Sequence, residues 1–272
     1  MITIPFKNIQ IRVKDEGEGE TVVLLHGYLE NLEIWGSFAA QLAEHYRVIS
    51  MDIPGHGQSG VIAAAHPMPL MAEAVDAVLE HLDIEQCVLV GHSMGGYVSL
   101  AFLAAYPNRL AGICLFHSSP FADDEKKYAS RGKEIRLVEA GKLMLICNAS
   151  MPNGFAEENR PQMKDQVEFA KKIARQTTPA GAVAILEGMR TRTDSGELLR
   201  RNTLPVLFIL GKKDEYVSFD ELHPVALSFP HTTVNILEHS GHSGYLEEPE
   251  KSLGYIRAFL EKCYRIKLHN SR

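Results

Sequence analysis

Ser93 lies in Gly91-His92-Ser93-Met94-Gly95, where a short apolar run, Val88 to Val90, ends and a helical pattern begins just after the serine. Gly-x-Ser-x-Gly between a strand and a helix is the setting in which a serine hydroxyl is pushed out on a strained turn. The flanking glycines remove side chains that would collide across so tight a turn. The new helix aims its first N–H groups at whatever bonds to the serine oxygen. A hydroxyl is a weak nucleophile, so this chemistry needs a base, and the base needs an acid to orient it. Without such partners the same five residues read as an ordinary Gly-rich turn with a capping serine.

In an open parallel sheet the partners belong just past strand ends. Asp214 follows the apolar run from Pro205 to Leu210, in Gly211-Lys212-Lys213-Asp214. His242 follows the run from Thr233 to Leu237, in His239-Ser240-Gly241-His242. Serine, acid and histidine thus occur in that chain order, each at its own strand end. Two rivals stay open: Asp123 or Asp124 as the acid, and His239 as the base. His26 and His92 flank the expected site and read as orienting or packing residues. Asp52, His56 and Ser59 read as residues that hold a turn together.

The elements that must carry these groups follow from periodicity. Residues 2–13 alternate as strands, and Val22 to Leu25 is a continuous apolar run, the mark of a strand buried on both faces. A helix is expected from Glu33 to Glu44, a strand from Arg47 to Met51, and a helix from Pro69. After the Cys87 strand comes a helix to about Tyr106 and a strand from Ala111 to Phe116. Strand and helix alternate, so the fold class is α/β, a mostly parallel sheet covered by helices on both faces. Between Phe121 and Asn202 only helical patterns occur: 123–140, 142–150 (stopped by Pro152), 157–176 and 179–190. The sheet resumes at Pro205, and Pro249 to Tyr264 is a terminal helix. The domains are therefore a core of residues 1–118 and 203–272 and an inserted helical lid, 119–202.

The chain resembles the α/β-hydrolase fold family over almost its whole length. The resemblance rests on His26-Gly27, Asp52-x-x-Gly55-x-Gly57-x-Ser59, Gly91-His92-Ser93-Met94-Gly95-Gly96, Gly211-x-x-Asp214, Gly241-His242 and Glu248-Pro249. It implies Ser93 as nucleophile, His242 as general base and then acid, and Asp214 as the acid that fixes the imidazole tautomer. It also implies an oxyanion hole made by the backbone N–H groups of Met94 and Tyr28. The expected activity is hydrolysis of an ester or related acyl bond of a small, partly apolar substrate. The alternatives are carbon–carbon bond hydrolysis or a lyase reaction by the same triad, and a small-molecule receptor with little turnover. Serine at position 93, rather than aspartate, argues against the dehalogenase and epoxide-hydrolase branches.

Composition excludes several other classes. With 272 residues, 45% apolar content and no long apolar run, a membrane span is not expected. A net charge of −6 argues against nucleic acid as a partner. The amino terminus lacks a signal-peptide pattern, so the expected location is cytoplasmic, as a monomer or homodimer. Gly55-His56-Gly57-Gln58-Ser59-Gly60 matches a dinucleotide-binding pattern, but two prolines and no clean helix follow it. His239-x-x-His242 has no supporting ligand cluster, and no cofactor or metal is expected. The stretch 121–201 carries 15 Lys plus Arg against 12 Asp plus Glu, which reads as solvated helix faces, with a mild preference for anionic acyl groups as the alternative.

Overall fold

The computed structural model describes residues 1–270. In chain order the first elements are β1 (Ile2–Phe6), β2 (Ile9–Glu16), β3 (Thr21–Leu25), α1 (Gly36–Leu42), β4 (Arg47–Met51), α2 (Met68–His81), β5 (Cys87–His92), α3 (Met94–Ala105) and β6 (Leu110–Phe116). A run of helices follows: α4 (Glu125–Glu139), α5 (Leu143–Asn153), α6 (Lys164–Ala174), α7 (Pro179–Arg190) and α8 (Gly196–Arg201). The chain then forms β7 (Val206–Gly211), α9 (Phe219–Ser228), β8 (Thr232–Leu237), α10 (Gly244–Glu247) and α11 (Pro249–Asn270).

The eight strands make one sheet, ordered β1-β2-β4-β3-β5-β6-β7-β8. β1 pairs antiparallel with β2, and β2 with β4; the other pairs are parallel. The central strands are apolar throughout because both faces are covered. Val23, Leu25 and Leu89 face α2 and α3, while Val22, Leu24, Val88 and Val90 face Trp35, Phe38 and α11. From β3 the chain moves outward to β4, then returns to place β5 on the other side of β3. The reversal opens a crevice at the carboxyl ends of β3 and β5, where an open α/β sheet binds its ligand. Residues 26–28 and Ser93 leave the sheet at those two ends.

Several element boundaries differ from expectation. The helix expected over 33–44 is a 3₁₀ turn, Leu32–Trp35, followed by α1. Asn31 caps the turn by accepting from the Glu33 N–H (2.9 Å), and Asp52 Oδ1 accepts from the Leu32 N–H (2.8 Å). These side chains hold the segment to the neighbouring loop rather than to a helix axis. α5 continues through Pro152 and ends before Gly154. The helix expected over 157–176 shortens to α6, because Asn159 and Arg160 tie residues 155–163 to Glu247, to the His239 carbonyl and to the Phe155 carbonyl. α7 spans its expected residues, whereas α8 and α9 lie in stretches too short or too polar to show a clear apolar stripe. The terminal helix continues to Asn270. Gly55 to Gly60 closes on itself as a loop (Gly55 N–H to Gly60 C=O, 2.9 Å), and no helix opens before Met68.

Gly95 and Gly254 make opposite cases. A Cβ on Gly95 would sink into the Leu25 and His26 carbonyls at the end of β3, but one on Gly254, exposed on α11, meets nothing within 4 Å. Gly95→Ala is expected to cost about 3 kcal/mol or more in urea unfolding. Gly254→Ala is expected to be neutral or to stabilise by up to ~1 kcal/mol.

Candidate active site

Ser93 adopts φ 50° and ψ −114°, a backbone region unfavourable for a residue with a side chain. Three hydrogen bonds fix it there: Ser93 N–H to the Phe116 carbonyl (2.9 Å), and Ser118 Oγ (2.7 Å) and Gly96 N–H (3.0 Å) to the Ser93 carbonyl. Without side chains at 91 and 95 the two ends of the turn touch, and α3 packs its first residues against the end of β3. The turn His26-Gly27-Tyr28 comes alongside: a Cβ on Gly27 would stand 3.2 Å from the Ser93 Cβ. Tyr28 and Met94, whose N–H groups were expected to bind an oxyanion, therefore flank Ser93 on two sides.

That turn is pinned from behind. His26 Nδ1–H donates to the Gly27 carbonyl (2.8 Å), and its Nε2 accepts from the Ile53 N–H (3.0 Å). Glu30 Oε2 accepts from the Gly27 N–H (2.5 Å) and from His92 Nδ1–H (2.9 Å); Oε1 accepts from the Tyr245 hydroxyl (2.9 Å). His92 Nε2–H donates to the His242 carbonyl (2.9 Å). Burial alone would raise the Glu30 carboxyl, but the charge and hydrogen bond of His92 bring it down to about 2. Burial would lower His92, yet Glu30 leaves it raised. Both shifts describe an ion pair, although the ring is buried.

Asp214 Oδ2 accepts from His242 Nδ1–H at 2.7 Å, and Oδ1 from the N–H groups of Tyr216 (2.8 Å) and Val217 (3.0 Å). His117 Nδ1 lies 3.4 Å from the same Oδ2, with Gly244 N–H on its Nε2 (3.2 Å) and Gly211 N–H on Nδ1 (3.1 Å). A neutral ring can accept from one of these two amides. With the proton on Nδ1 it serves Gly244 and the carboxylate together, and we assign that tautomer. Burial lowers His117 to about 4, so the ring is neutral at pH 7. Burial by itself would raise Asp214, but the charge of His242 and the two imidazole hydrogen bonds hold it well below the ordinary carboxylate range. His117, Asp214 and His242 place one donor atom each within 4.8 Å of one another, a spacing that could also seat a metal ion. The hydrogen bonds to Asp214 Oδ2 and from the Gly244 N–H already use these atoms, which favours a proton-holding chain over a ligand set.

The rivals are engaged elsewhere. Asp123 is buried between Arg131 and Arg192, and Asp124 caps α4 by accepting from the Lys127 N–H (2.6 Å). The exposed His239 donates its backbone N–H to Glu248 Oε2 (2.9 Å). Asp52 and Ser59 hold their loop: Asp52 Oδ2 accepts from the Gln58 N–H (2.8 Å), and Ser59 Oγ donates to the Asp52 carbonyl (2.6 Å). His56 is buried against His26 with neither ring nitrogen hydrogen-bonded. Glu30 and His117 were missed by sequence reasoning. His117 follows an apolar strand just as Ser93 and Asp214 do, and that placement was the available signal; no motif marks Glu30, whose side-chain partners come from positions 92 and 245 and whose one local partner is the Gly27 amide.

A cavity of about 250 Å³ joins Ser93 and His242 to the helical insertion, which contributes Lys127, Arg131 and Glu134 from α4 and Met151 and Met189 beyond. The insertion also grips the histidine loop. The Gly154 carbonyl accepts from the His242 (2.7 Å) and Ser243 (2.8 Å) N–H groups, and the Tyr216 hydroxyl donates to the Ser150 carbonyl (2.8 Å).

A family model described as alpha/beta hydrolase fold matches residues 20–133. The chain is 31% identical over 90% of its length to the dihydrolipoyllysine-residue acetyltransferase component of the acetoin cleaving system of Pseudomonas putida, of which it spans 65%. It is 28% identical to the pimeloyl-[acyl-carrier protein] methyl ester esterase of Aeromonas hydrophila, over 93% of this chain and 100% of that protein. Among solved structures, a thermophilic esterase from Thermogutta terrifontis, with malate bound, superposes with a TM-score of 0.91 at 28% identity, covering 96% of this chain and 98% of that one. The enol-lactonase of Burkholderia xenovorans LB400 shares the fold, with a TM-score of 0.88 at 18% identity over 96% of this chain and 100% of that one.

The Glu30–His92 pair predicts a two-sided pH dependence of stability. Glu30 falls from an ordinary 4.5 to about 2, so its contribution is complete above 4.5 and disappears as pH drops toward 2. His92 is raised above 6.5, so its contribution is complete below 6.5 and is lost as pH rises through the raised value. In urea titrations Glu30→Gln should be less stable than the parent by about 3 kcal/mol. The difference should be widest between pH 4.5 and 6.5 and narrow on both sides.

Proposed function

Because the chain belongs to the α/β-hydrolase fold family, as a hydrolase of ester bonds, we propose a reaction that runs through Ser93, His242 and Asp214. The observation that carries the reading is the 2.7 Å bond from His242 Nδ1–H to Asp214 Oδ2, with His242 and Ser93 lining one cavity. Asp214 accepts at both oxygens and stays ionised. It holds the imidazole proton on Nδ1, which frees Nε2 to act as base. Nε2 takes the Ser93 proton as Oγ attacks the ester carbonyl. The N–H groups of Met94 and Tyr28 receive the oxyanion, each worth roughly 3 kcal/mol of barrier. The imidazolium then protonates the leaving alcohol, water enters by the same base, and the acyl group leaves Ser93.

The neutral His117 supports Asp214 without adding a positive charge that would compete with the imidazolium forming on His242. The insertion, residues 119–202, acts as the lid, since its helices close the far side of the cavity. Met151, Met189 and Val217 supply an apolar wall, which fits a small, partly apolar ester. Lys127 and Glu134 share α4 with opposite charges, and burial raises the Glu134 carboxyl, so the cavity has no uniform attraction for anionic acyl groups. No described helix is long and apolar enough to cross a membrane. The four buried cysteines are free thiols, which suits a reducing compartment, and we place the protein in the cytoplasm on that ground.

Two measurements test the reading: stoichiometric labelling by a fluorophosphonate, and hydrolysis of p-nitrophenyl acetate and butyrate. Ser93→Ala is expected to abolish both. Asp214→Asn is expected to keep the fold and lower kcat by roughly 10⁴, because an amide no longer fixes the tautomer. Turnover by Ser93→Ala equal to the parent's would refute the assignment.

A further inference from the structure

Tyr97 lies one helical turn beyond Ser93 on α3, and its ring lines two cavities rather than one. The first is the cavity around Ser93 and His242. The second, of about 370 Å³, is a cleft that starts at Tyr97 and follows the face of α3 formed by Leu100, Ala101, Ala104 and Ala105. From Tyr97 to Ala105 the helix rises about 12 Å, so this cleft extends well away from the serine. Its floor is wide because three of these α3 residues are alanines. Its other walls are Pro67 to Pro69 at the start of α2, Ser119 and Pro120 after β6, and residues 191–193 and 195 after α7. None of Ser93, Asp214 and His242 lines it.

Tyr97 is the residue common to the two linings, and its ring is stacked. The Arg192 guanidinium lies 4.1 Å from the centre of the Tyr97 ring. Arg192 is itself immobilised, donating to Asp123 Oδ1 (2.5 Å) and to the carbonyls of Phe121 (3.1 Å) and Met189 (3.1 Å). Asp123, with its side chain fully buried, also holds Arg131, which lines the first cavity. A guanidinium fixed at three points and laid on an aromatic face keeps the ring in one orientation.

We propose that Tyr97, clamped by Arg192, is the specificity-determining residue that ends the acyl pocket, and that the cleft along α3 is a subsite for a longer apolar chain closed off by that ring. The substrate class of the parent enzyme is then short-chain esters. The proposal rests on Ser93 as the nucleophile. Shortening Tyr97 would connect the cavities, and a linear chain leaving the serine would run along the alanine face.

The test is a series of p-nitrophenyl esters from acetate to dodecanoate, read as kcat/KM against chain length. The parent should peak at the short end. Tyr97→Ala should raise the decanoate-to-butyrate ratio about tenfold or more, since burying two further methylenes suffices for that change. Tyr97→Phe, which keeps the ring, should keep the parent's optimum. Arg192→Met, which unclamps the ring without removing it, should shift the ratio in the same direction by less, and it provides a second route should Tyr97→Ala fail to fold. Ala101→Phe added to Tyr97→Ala should refill the cleft and restore the short-chain optimum. An unaltered length profile in folded Tyr97→Ala or Arg192→Met, with short esters still cleaved, would overturn the proposal while leaving the nucleophile assignment intact. A parent that cleaves no ester and takes no fluorophosphonate would overturn the nucleophile assignment, and the length claim with it.

Discussion

The whole arrangement depends on one residue being held where its backbone does not want to be. At φ 50° and ψ −114° Ser93 carries strain of order 1–3 kcal/mol, and the neighbouring chain must compensate at that point. The compensation is specific. β6 receives the Ser93 N–H, Ser118 and Gly96 bond its carbonyl, and α3 presses so closely on β3 that a side chain at position 95 has no space. The same contact that locks the serine therefore brings the turn at residues 26–28 beside it. The access of the Ser93 side chain to the cavity and the approach of that turn are consequences of a single packing constraint.

Behind that contact the charges are arranged so that each buried group has a partner of the right kind. Glu30 and His92 form an ion pair whose hydrogen bonds reach the Gly27 amide on one side and the His242 carbonyl on the other. Burying a pair like this gains little by itself, because desolvation offsets most of the attraction. Its effect is geometric: the turn next to Ser93, the residue just before Ser93 and the backbone of His242 cannot move independently. Asp214 is treated differently. It receives two backbone amides and two imidazoles, one of them His117, kept neutral by burial. A neutral donor there satisfies the carboxylate without weakening its hold on His242.

How much of this the sequence discloses depends on the range of the interaction concerned. Ser93, Asp214 and His242 are marked by local signals, because strand ends, glycines and apolar runs are properties of a few consecutive residues. The parallel sheet follows from the alternation of such signals. The helical insertion was legible as a block, but its boundaries were less so. Residues 155–163 are shaped by Glu247 and by the His239 carbonyl, more than 75 positions away, and no periodicity encodes that. Glu30 escaped for the same reason, having its side-chain partners at positions 92 and 245 and only a backbone amide, Gly27, nearby. His117 did carry a local signal, a histidine directly after a buried strand. It went unread because a serine hydrolase needs one base, and a second buried histidine on the acid has no place in that minimal account.

The insertion is more than a cover over the serine. Its Gly154 carbonyl takes the N–H groups of His242 and Ser243, its Asn159 bonds Glu247, and Tyr216, two residues after Asp214, donates to Ser150. These bonds join insertion residues to the loops that carry His242 and Asp214 and to α10 beside them, rather than to the sheet. A displacement of α5 would therefore disturb the imidazole before it reached the serine, whose own restraints come from β6 and from the first turn of α3. Ser93 is held by the core, whereas the backbone of His242 is held jointly by the core and the insertion. In the proposed reaction a shift of these helices would in this way be coupled to His242, the proposed base, and much less to Ser93, the proposed nucleophile.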